Sequence, residues 1–296
     1  MSGTRVKVAV LGLGIMGGGM AGQLIAKGFD VTVWNRDPAK ARPLGEAGAA
    51  VAASPTDAAQ GAAFVIAMLA HDDASRDVWL GENGALAAMD AGTIAIECST
   101  LSVAWAKTLA SAATERALGF IDAPVTGTKP QAAGGTLRFF AGGEAAILAR
   151  AEPVLMAMGT EVIRLGPVGS GALLKLINNF LCGVQVASLA EAITMVERSG
   201  LDVKQSIDAL TAGAPGSPLV KLLATRMTQR DYQPNFLPGL MAKDLRYAAS
   251  TFAAQGIELA SADVARARFE AAAAQFPNAD MASVAEVIRA EGKRDG

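Results

Sequence analysis

The stretch VKVAVLGLGIMGGGM, residues 6–20, decides how the first half of the chain folds. Residues 6–11 predict a buried strand, and residues 15–27 predict a helix. Between them lies the spacing Gly-x-Gly-x-x-Gly, whose three glycines permit a tight turn, the approach of a pyrophosphate and close helix–strand packing. The stretch therefore predicts a dinucleotide-binding loop, although a glycine-rich turn of another α/β domain is the alternative. The loop residues expected to contact the cofactor are Gly12, Leu13, Gly14, Ile15 and Met16.

The rest of the first half continues this alternation of apolar runs and Ala-rich helical stretches as far as residue 165. Near-continuous apolar strands separated by helices are typical of a parallel sheet that is covered on both faces. Further strands are predicted at residues 30–35, 64–69, 93–98, 120–123 and 137–141. Residues 1–165 are therefore predicted to form an α/β domain of the Rossmann type with a mostly parallel sheet.

The pattern changes near Gly166, after which only helical stretches follow. Residues 170–199 form one such stretch without proline, and clusters of Gly and Pro separate the later ones. The later helices are predicted at residues 203–212, 218–230, 240–255, 260–275 and 281–290. Residues 166–296 are therefore predicted to form an all-helical domain, joined to the first by a long helix. Its Ala- and Leu-rich composition favours a homodimer or homotetramer.

Composition and charge argue against several classes of function. The chain has 296 residues, 51% apolar and 18% charged, so it can bury a sizeable core. A net charge of −2 without a Lys- or Arg-rich run argues against a nucleic-acid partner. The chain has only two cysteines, Cys98 and Cys182, and one histidine, His71, so no metal site is predicted. The low cysteine content suits a reducing, cytoplasmic compartment. Because no uninterrupted run of 18 apolar residues occurs, no membrane span is expected.

The end of the second predicted strand bears on the choice of cofactor. Rossmann domains that prefer NAD commonly place an acidic residue there for the ribose 2′-hydroxyl, whereas a nearby Arg accommodates a 2′-phosphate. This chain has Asn35 and Arg36 at that point, followed by Asp37. The pattern favours NADP(H) and leaves NAD(H) open, because Arg36 also fits a solvated surface charge and Asp37 a helix cap.

Four segments, in this order along the chain, carry a resemblance to a known family. They are residues 12–20, residues 122–128 with the text DAPVTGT, residues 166–179 with the text GPVGSGALLKLINN, and residues 243–245 with the text KDL. The chain resembles the β-hydroxyacid dehydrogenases, with WNR at residues 34–36 and GTKP at 127–130 closest to their glyoxylate/succinic semialdehyde reductase branch. The resemblance implies an NAD(P)-dependent oxidoreductase acting on CH–OH groups, with its substrate site at the domain interface.

Two polar residues of the long predicted helix are the candidates for catalysis. Lys175 and Asn179 are four residues apart in an apolar stretch, so they share a helical face. By resemblance, Lys175 is the general acid/base that protonates the alkoxide formed when hydride reaches an aldehyde carbon. A lysine can do so near neutral pH where burial lowers its pKa. Asn179 would orient Lys175 or the substrate hydroxyl, whereas Asn178 points about 100° away.

The remaining site residues follow from the same resemblance. Thr126, Gly127 and Thr128 are expected to hold a substrate carboxylate with backbone N–H groups and hydroxyls, with a plain turn as the alternative. Phe236 and Asp244 are expected to line the substrate pocket. The alternatives are core packing for Phe236 and a favourable charge in a first helical turn for Asp244. The implied cofactor contacts outside the glycine loop are Asn35, Arg36, Leu69, Ala70, Ala74, Thr100 and Lys243.

Two loops depart from the family pattern, which usually has prolines after strands four and five. Here the text is LAH at residues 69–71 and STLSV at residues 99–103. Both loops are still expected to face the nicotinamide half of the cofactor, but no proline fixes their backbone path. His71 is expected to be a loop residue beside the cofactor rather than a catalytic base.

The leading interpretation is an NADPH-dependent reductase of a small aldehyde-carboxylate, such as glyoxylate or a semialdehyde, or the reverse oxidation of its hydroxy acid. The runner-up is an NAD-linked 3-hydroxyisobutyrate dehydrogenase. An imine reductase is a third alternative, although such enzymes commonly have Asp or Tyr in place of Lys175. A non-catalytic NADP-binding protein is the fourth. The substrate stays open, because candidates differ by one or two methylenes, each worth about 1–3 kcal/mol.

Overall fold

The computed structural model describes residues 5–291. The chain divides into two compact units, Met1–Lys175 and Leu176–Gly296. The division falls at Lys175 rather than at residue 165, because the first residues of the long helix pack with the α/β unit. Residues 1–4 and 292–296, at the outer ends of the two predicted domains, lie outside the described part.

The first unit is built on one mixed sheet. Its strands within the described residues are β1 Lys7–Leu11, β2 Asp30–Trp34, β3 Ala50–Val51, β4 Phe64–Ala67, β5 Ile94–Glu97, β6 Gly119–Asp122, β7 Val125–Thr126, β8 Leu137–Gly143 and β9 Gly159–Gly166. They lie in the order β3-β2-β1-β4-β5-β6-β8-β7, with β9 paired to β8. The strands from β3 to β6 are parallel, whereas β8 runs antiparallel to β6 and β7. The predicted Rossmann-type, mostly parallel sheet is confirmed.

Helices cover both faces of this sheet. They are α1 Gly17–Ala26, α2 Arg42–Glu46, α3 Pro55–Ala59, α4 Asp72–Leu80, α5 Val103–Thr114, α6 Lys129–Gly134, α7 Ala145–Met158 and the start of α8, Ser170–Arg198. Val8 and Val10 belong to one buried cluster, and Ala9 and Leu11 to another. Because successive residues of a strand point to opposite faces, the sheet is buried on both sides.

Among its described residues, the second unit contains helices and connecting segments but no strand. It contains the rest of α8, then α9 Val203–Ala212, α10 Pro218–Gln229, α11 Pro238–Ala253, α12 Ala260–Gln275 and α13 Val284–Ala290. The side chains of Asp202 and Ser217 cap α9 and α10 by accepting hydrogen bonds from backbone N–H groups. The predicted all-helical second half is confirmed.

The helix α8 is long and apolar. Its most apolar window of 18 residues has a mean hydropathy of 1.4, and 39% of that window is buried. By length and composition alone, α8 could cross a membrane, but the core helix of a protein without a membrane span satisfies the same measure. Lys175 and Asn179 interrupt its apolar sequence.

Candidate active site

The glycine loop joins β1 to α1 at the carboxyl edge of the sheet, between the neighbouring strands β2 and β4. Gly12 has a φ of +95°, and a Cβ there would overlap the carbonyl oxygen of Met68, so the position requires glycine. At Gly14 a Cβ would meet no atom within 4 Å, which leaves the backbone accessible to a ligand. The helix α1 begins after Met16 without a side-chain cap. The Gly18 N–H already donates to the Gly14 carbonyl oxygen at 3.1 Å. The positive end of the helix still faces the glycine loop, so the loop fits a dinucleotide.

Asn35, directly after β2, holds the glycine loop in place. Its Oδ1 accepts a hydrogen bond from the Leu13 N–H at 2.8 Å, and its Nδ2 donates to the Asp37 carbonyl at 2.9 Å. The Leu13 N–H is thus already used, so a contact of Leu13 with the cofactor would have to come from another of its atoms. Asp37 accepts from the Ala39 N–H at 3.1 Å, which is the capping role considered for it.

Arg36 is exposed at the same edge, beside the engaged side chain of Asn35. Within residues 5–291, no carboxylate lies close enough to form an ion pair with its guanidinium. Capping by Asp37 and phosphate binding by Arg36 are therefore compatible.

Two hydrogen-bonded links join the loop after β4 to the loop after β5. The Leu69 N–H donates to the Ser99 hydroxyl oxygen at 2.7 Å. The N–H and hydroxyl of Ser102 donate to the Asp72 carboxylate at 2.9 and 2.6 Å. These links determine the relative positions of two loops that lack the family's usual prolines.

The other predicted cofactor residues of this edge lie around His71. His71 is exposed, and its Nδ1 accepts a hydrogen bond from the Ala74 N–H at 3.1 Å, so it caps α4. Ala70 is exposed, whereas Ala74 and Thr100 are half-buried. His71 is thus a capping residue in the loop, as its expected non-catalytic position allows.

The carboxylate of Glu97, the last residue of β5, is buried directly beneath these loops. Its Oε1 accepts from the N–H and hydroxyl of Ser99 at 3.0 and 2.5 Å. Its Oε2 accepts from the Ser75 hydroxyl at 2.7 Å and the Trp79 indole N–H at 2.8 Å. Burial raises the pKa of Glu97, although the four hydrogen bonds act in the opposite direction.

Asp122, the last residue of β6, caps the start of α8. Its Oδ1 accepts from the Gly169 N–H at 2.8 Å and its Oδ2 from the Ala172 N–H at 2.7 Å. Burial raises the pKa of Asp122 to about 6, against the opposing effect of the backbone hydrogen bonds. At Gly171 a Cβ would overlap the Phe140 carbonyl oxygen, so only glycine allows the helix to begin this close to the sheet. Lys175, which is half-buried, lies in the second turn of α8, three residues after Ala172.

In the second unit, a buried polar cluster forms around Asp244. Its Oδ2 accepts from the Asn179 amide at 2.6 Å, and its Oδ1 pairs with the Lys243 ammonium at 2.9 Å. The Asn179 oxygen accepts from the Asn178 amide at 2.9 Å. Lys243 and Asp244 lie in the second turn of α11, which begins at Pro238. The alternative of Asp244 as a first-turn acid is therefore wrong, and Lys243 compensates its charge instead.

The turn after β7 is only partly available to a ligand. Thr126 ends the strand, and Gly127 has a φ of +138°, where a Cβ would lie 2.8 Å from Leu137 Cδ2. The N–H of Thr128 donates to Gln131 Oε1 at 2.9 Å, and its hydroxyl donates to the same oxygen. The expectation of a free N–H at Thr128 is therefore wrong in this structure, because the start of α6 uses both groups.

Phe236 lies in the segment before α11, with its side chain half-buried. Its N–H donates to Asp280 Oδ2 at 3.0 Å, and its carbonyl accepts from the Met281 N–H at 2.7 Å. The backbone of Phe236 is thus fixed from both sides within the second unit.

Sequence reasoning did not identify Glu97, Ser99, Asp72 or Asp122 as functional residues. Glu97 and Asp122 could have been flagged, because each is a carboxylate at the end of an otherwise apolar strand. Such a carboxylate needs donors when it is buried. Their partners lie on other elements, however, and no local pattern names them.

Comparison with known proteins supports the assignment of the fold and of the glycine loop. Residues 7–166 match the NAD binding domain of 6-phosphogluconate dehydrogenase. Residues 169–288 match the family described as NAD-binding of NADP-dependent 3-hydroxyisobutyrate dehydrogenase. The chain belongs to the β-hydroxyacid dehydrogenase family. It is accordingly an NAD(P)-dependent oxidoreductase that acts on CH–OH groups.

Individual members of the family cover most of the chain. Glyoxylate/succinic semialdehyde reductase 2 of Arabidopsis thaliana is 32% identical over 291 residues, which are 98% of this chain and 81% of that protein. The NAD-dependent L-serine dehydrogenase of Pseudomonas aeruginosa is 36% identical over 246 residues, 81% of this chain and 83% of that protein. The structure of Mycobacterium tuberculosis 3-hydroxyisobutyrate dehydrogenase with L-serine superposes with a TM-score of 0.87 at 31% identity, covering 97% of this chain and 100% of that one.

Proposed function

We propose that this dehydrogenase reduces a small aldehyde-carboxylate, such as glyoxylate or a semialdehyde, with NADPH, and oxidises the matching hydroxy acid in reverse. The observation that carries the proposal is the position of Lys175 on the capped start of α8, one turn before Asn179. A reduced nicotinamide dinucleotide, held by the glycine loop at residues 12–17, would supply the hydride for the aldehyde carbon. The Lys175 ammonium gives a proton to the aldehyde oxygen, so hydride and proton together complete the alcohol.

Asn179 follows Lys175 by one turn on α8 and belongs to a hydrogen-bonded polar cluster within the second unit. Asn179 donates to Asp244 and accepts from Asn178, so we assign it to hold the Asp244 carboxylate in place. Asp244 would then accept a hydrogen bond from the substrate hydroxyl. Thr126 and Gly127 are assigned to the substrate carboxylate, whereas Thr128 could take part only if Gln131 releases it.

The replacement Lys175→Ala tests the proton donor. We expect kcat to fall by about 10²–10⁴-fold, the usual contribution of a general acid, with the dissociation constant for NADPH within about threefold of wild type. The control is Lys221→Ala, which removes an exposed lysine from α10 and should leave both constants unchanged. Unaltered turnover in Lys175→Ala would remove Lys175 from the mechanism.

The preference for NADPH is supported by Asn35 in place of an acid after β2 and by the exposed Arg36, which forms no ion pair with another side chain of residues 5–291. A charge-assisted contact with a 2′-phosphate is worth about 1.5–3 kcal/mol. Arg36→Ala should therefore lower kcat/KM with NADPH by about 10–100-fold and leave kcat/KM with NADH unchanged. A wild-type enzyme that prefers NADH would contradict the proposal.

A second candidate is the NAD-linked oxidation of a 3-hydroxy acid, such as 3-hydroxyisobutyrate or L-serine. It is favoured by the L-serine dehydrogenase among the relatives and by the solved structure with L-serine. A kinetic screen separates the two candidates. It would include glyoxylate, succinic semialdehyde, methylmalonate semialdehyde and tartronate semialdehyde with both reduced cofactors, and 3-hydroxyisobutyrate and L-serine with both oxidised ones. Higher kcat/KM for the two alcohols with NAD would favour the second candidate.

We further propose that the enzyme is a cytoplasmic homodimer or homotetramer, with no nucleic-acid or membrane partner. Large apolar side chains of α8, among them Leu181 and Met195, are 53% and 68% exposed in the single chain. A second copy that covered them would remove apolar surface from water. Light scattering at micromolar concentration measures the mass directly, and a monomer would contradict this proposal.

A further inference from the structure

We propose that Glu97 is a positioning residue that fixes the two loops at residues 68–72 and 98–102 against each other. These loops lack the prolines that usually fix their backbone path in the family. The proposal rests on the proposed function in one respect, namely that both loops face the nicotinamide. Glu97 itself is 1% exposed and lies below the surface of the site, so it acts through Ser99 rather than on the cofactor.

The direction of the hydrogen bonds defines a relay from Glu97 to Leu69. A backbone N–H can only donate, so the Ser99 hydroxyl oxygen must accept from Leu69. The single hydroxyl hydrogen of Ser99 is then free to point to Glu97 Oε1. The carboxylate therefore sets the rotamer of Ser99, and Ser99 in turn holds the start of the loop after β4.

The two oxygens of the carboxylate face different partners. Oε1 accepts from Ser99, in the loop after β5, whereas Oε2 accepts from Ser75 and Trp79 on α4. Trp105 of α5 donates to the Ser75 hydroxyl at 2.8 Å, which directs the hydroxyl hydrogen of Ser75 to Glu97. Glu97 thus ties the β5 loop to the helix that follows the β4 loop.

A purely structural role explains this arrangement poorly. Burying a carboxylate costs free energy that hydrogen bonds only partly return, and an apolar side chain is often as stabilising or more so. Burial raises the pKa of Glu97, which is the sign of that cost. A second link, from Ser102 to Asp72, joins the same two loops at their far ends. The Leu69–Ser99 and Ser102–Asp72 hydrogen bonds thus join the same two loops, which supports a role of Glu97 in positioning them.

The test compares Glu97→Gln and Ser99→Ala with a matched control on the same strand. In Glu97→Gln, an NH2 group replaces one of the two carboxylate oxygens. This NH2 group cannot accept a hydrogen bond, so the contact with either Trp79 or Ser99 is lost. Thr93 precedes β5, is 5% exposed, and donates to the Ala62 carbonyl at 3.1 Å. Thr93→Val therefore removes a buried hydrogen bond at the opposite end of the strand from the loops.

We expect Glu97→Gln and Ser99→Ala each to raise the dissociation constant for the preferred dinucleotide about tenfold, the equivalent of one hydrogen bond. Amide exchange in peptides covering residues 68–72 and 98–102 should quicken by a similar factor. Thr93→Val should stay within about twofold of wild type in both measurements, even at an equally lowered Tm. The double variant should weaken binding by less than the product of the two single effects, because part of the effect of Glu97 passes through Ser99.

The inference is overturned if Glu97→Gln and Thr93→Val change binding and loop exchange equally at matched Tm, or if the double variant is additive. Should Glu97→Gln fail to fold, Ser99→Ala against Thr93→Val decides by the same criteria. All arms are measured with NADPH and NADH. A wild-type preference for NADH would contradict the proposed cofactor choice, whereas the comparison of variants would still judge Glu97.

Discussion

Two buried carboxylates, Glu97 and Asp122, end neighbouring strands and are held in different ways. They are register partners in β5 and β6, and each is 1% exposed. Glu97 accepts hydrogen bonds mainly from side chains, at most 22 positions away in sequence. Asp122 accepts from backbone N–H groups at the start of α8, 47 and 50 positions later. Glu97 thus controls loops at the cofactor edge, whereas Asp122 controls the helix that carries Lys175.

This difference gives the two residues separate effects on catalysis. Side-chain donors such as Ser99 can rotate, so loss of Glu97 should loosen a loop locally. The N–H groups that begin a helix have no intrahelical partner, so loss of Asp122 leaves them unpaired in a buried place. We therefore expect changes at Glu97 to alter cofactor binding, and changes at Asp122 to alter stability and the placement of Lys175.

The largest effect is expected for Asp122→Ala. Two buried N–H donors lose their acceptor, each at about 1–3 kcal/mol, so the free energy of unfolding should fall by roughly 2–6 kcal/mol. In the protein that remains folded, kcat should fall more than the affinity for NADPH, because α8 loses the contact that sets its start. Urea unfolding and steady-state kinetics measure both quantities. If Asp122→Ala weakens cofactor binding as strongly as Glu97→Gln does, the contrast between the two carboxylates is wrong.

The pH dependence of the free energy of unfolding should reveal the contribution of Asp122. The pKa of Asp122 is about 6 in the folded chain, against 3.8 for the ordinary group. Between these values the folded chain binds a proton that the unfolded chain lacks, so the free energy of unfolding falls as pH rises. One pKa unit equals 1.36 kcal/mol, so the loss approaches about 3 kcal/mol and is complete above the folded pKa.

Urea unfolding of wild type and Asp122→Asn between about pH 4 and pH 7.5 measures this slope. In Asp122→Asn, the slope of the free energy of unfolding against pH should lack the contribution of Asp122. The variant should keep a residual slope of the same sign, because burial also raises the pKa of Glu97. Equal slopes in the two proteins would show that Asp122 does not titrate in this range.

The sequence predicts most helices and the buried strands well, but not a strand with exposed charged side chains. The helices at residues 203–212 and 260–275 agree with α9 and α12 at both ends. Asp202 and Gly213 mark the ends of α9, whereas Pro277 follows α12. The strand β9 was missed, since exposed Glu161 and Arg164 break its apolar pattern. Charged side chains suit a strand whose polar groups pair outside the core, as Arg138 and Glu161 do.

In the candidate site, too, the sequence predicts some features and not others. The glycine loop and Lys175 lie in segments that local patterns or the family resemblance identify. The hydrogen bonds from Asp122 to α8 and from Ser102 to Asp72 join positions 47, 50 and 30 residues apart. Such contacts depend on how the strands and helices pack, and a single sequence does not encode them in its spacing.

The smallest effect is expected at His71, at the outer edge of the loops that Glu97 holds from below. His71 caps α4 through one hydrogen bond from the Ala74 N–H, and both partners are accessible to water. Loss of a helix cap costs about 1 kcal/mol, so His71→Ala should lower the free energy of unfolding by that amount, whereas His71→Asn should restore it. Cofactor affinity should change less than in Ser99→Ala, because water can replace an exposed cap but not the buried acceptor of Leu69. If His71→Ala weakened binding as much as Ser99→Ala, the outer cap and not the Glu97 relay would be the contact that places this loop.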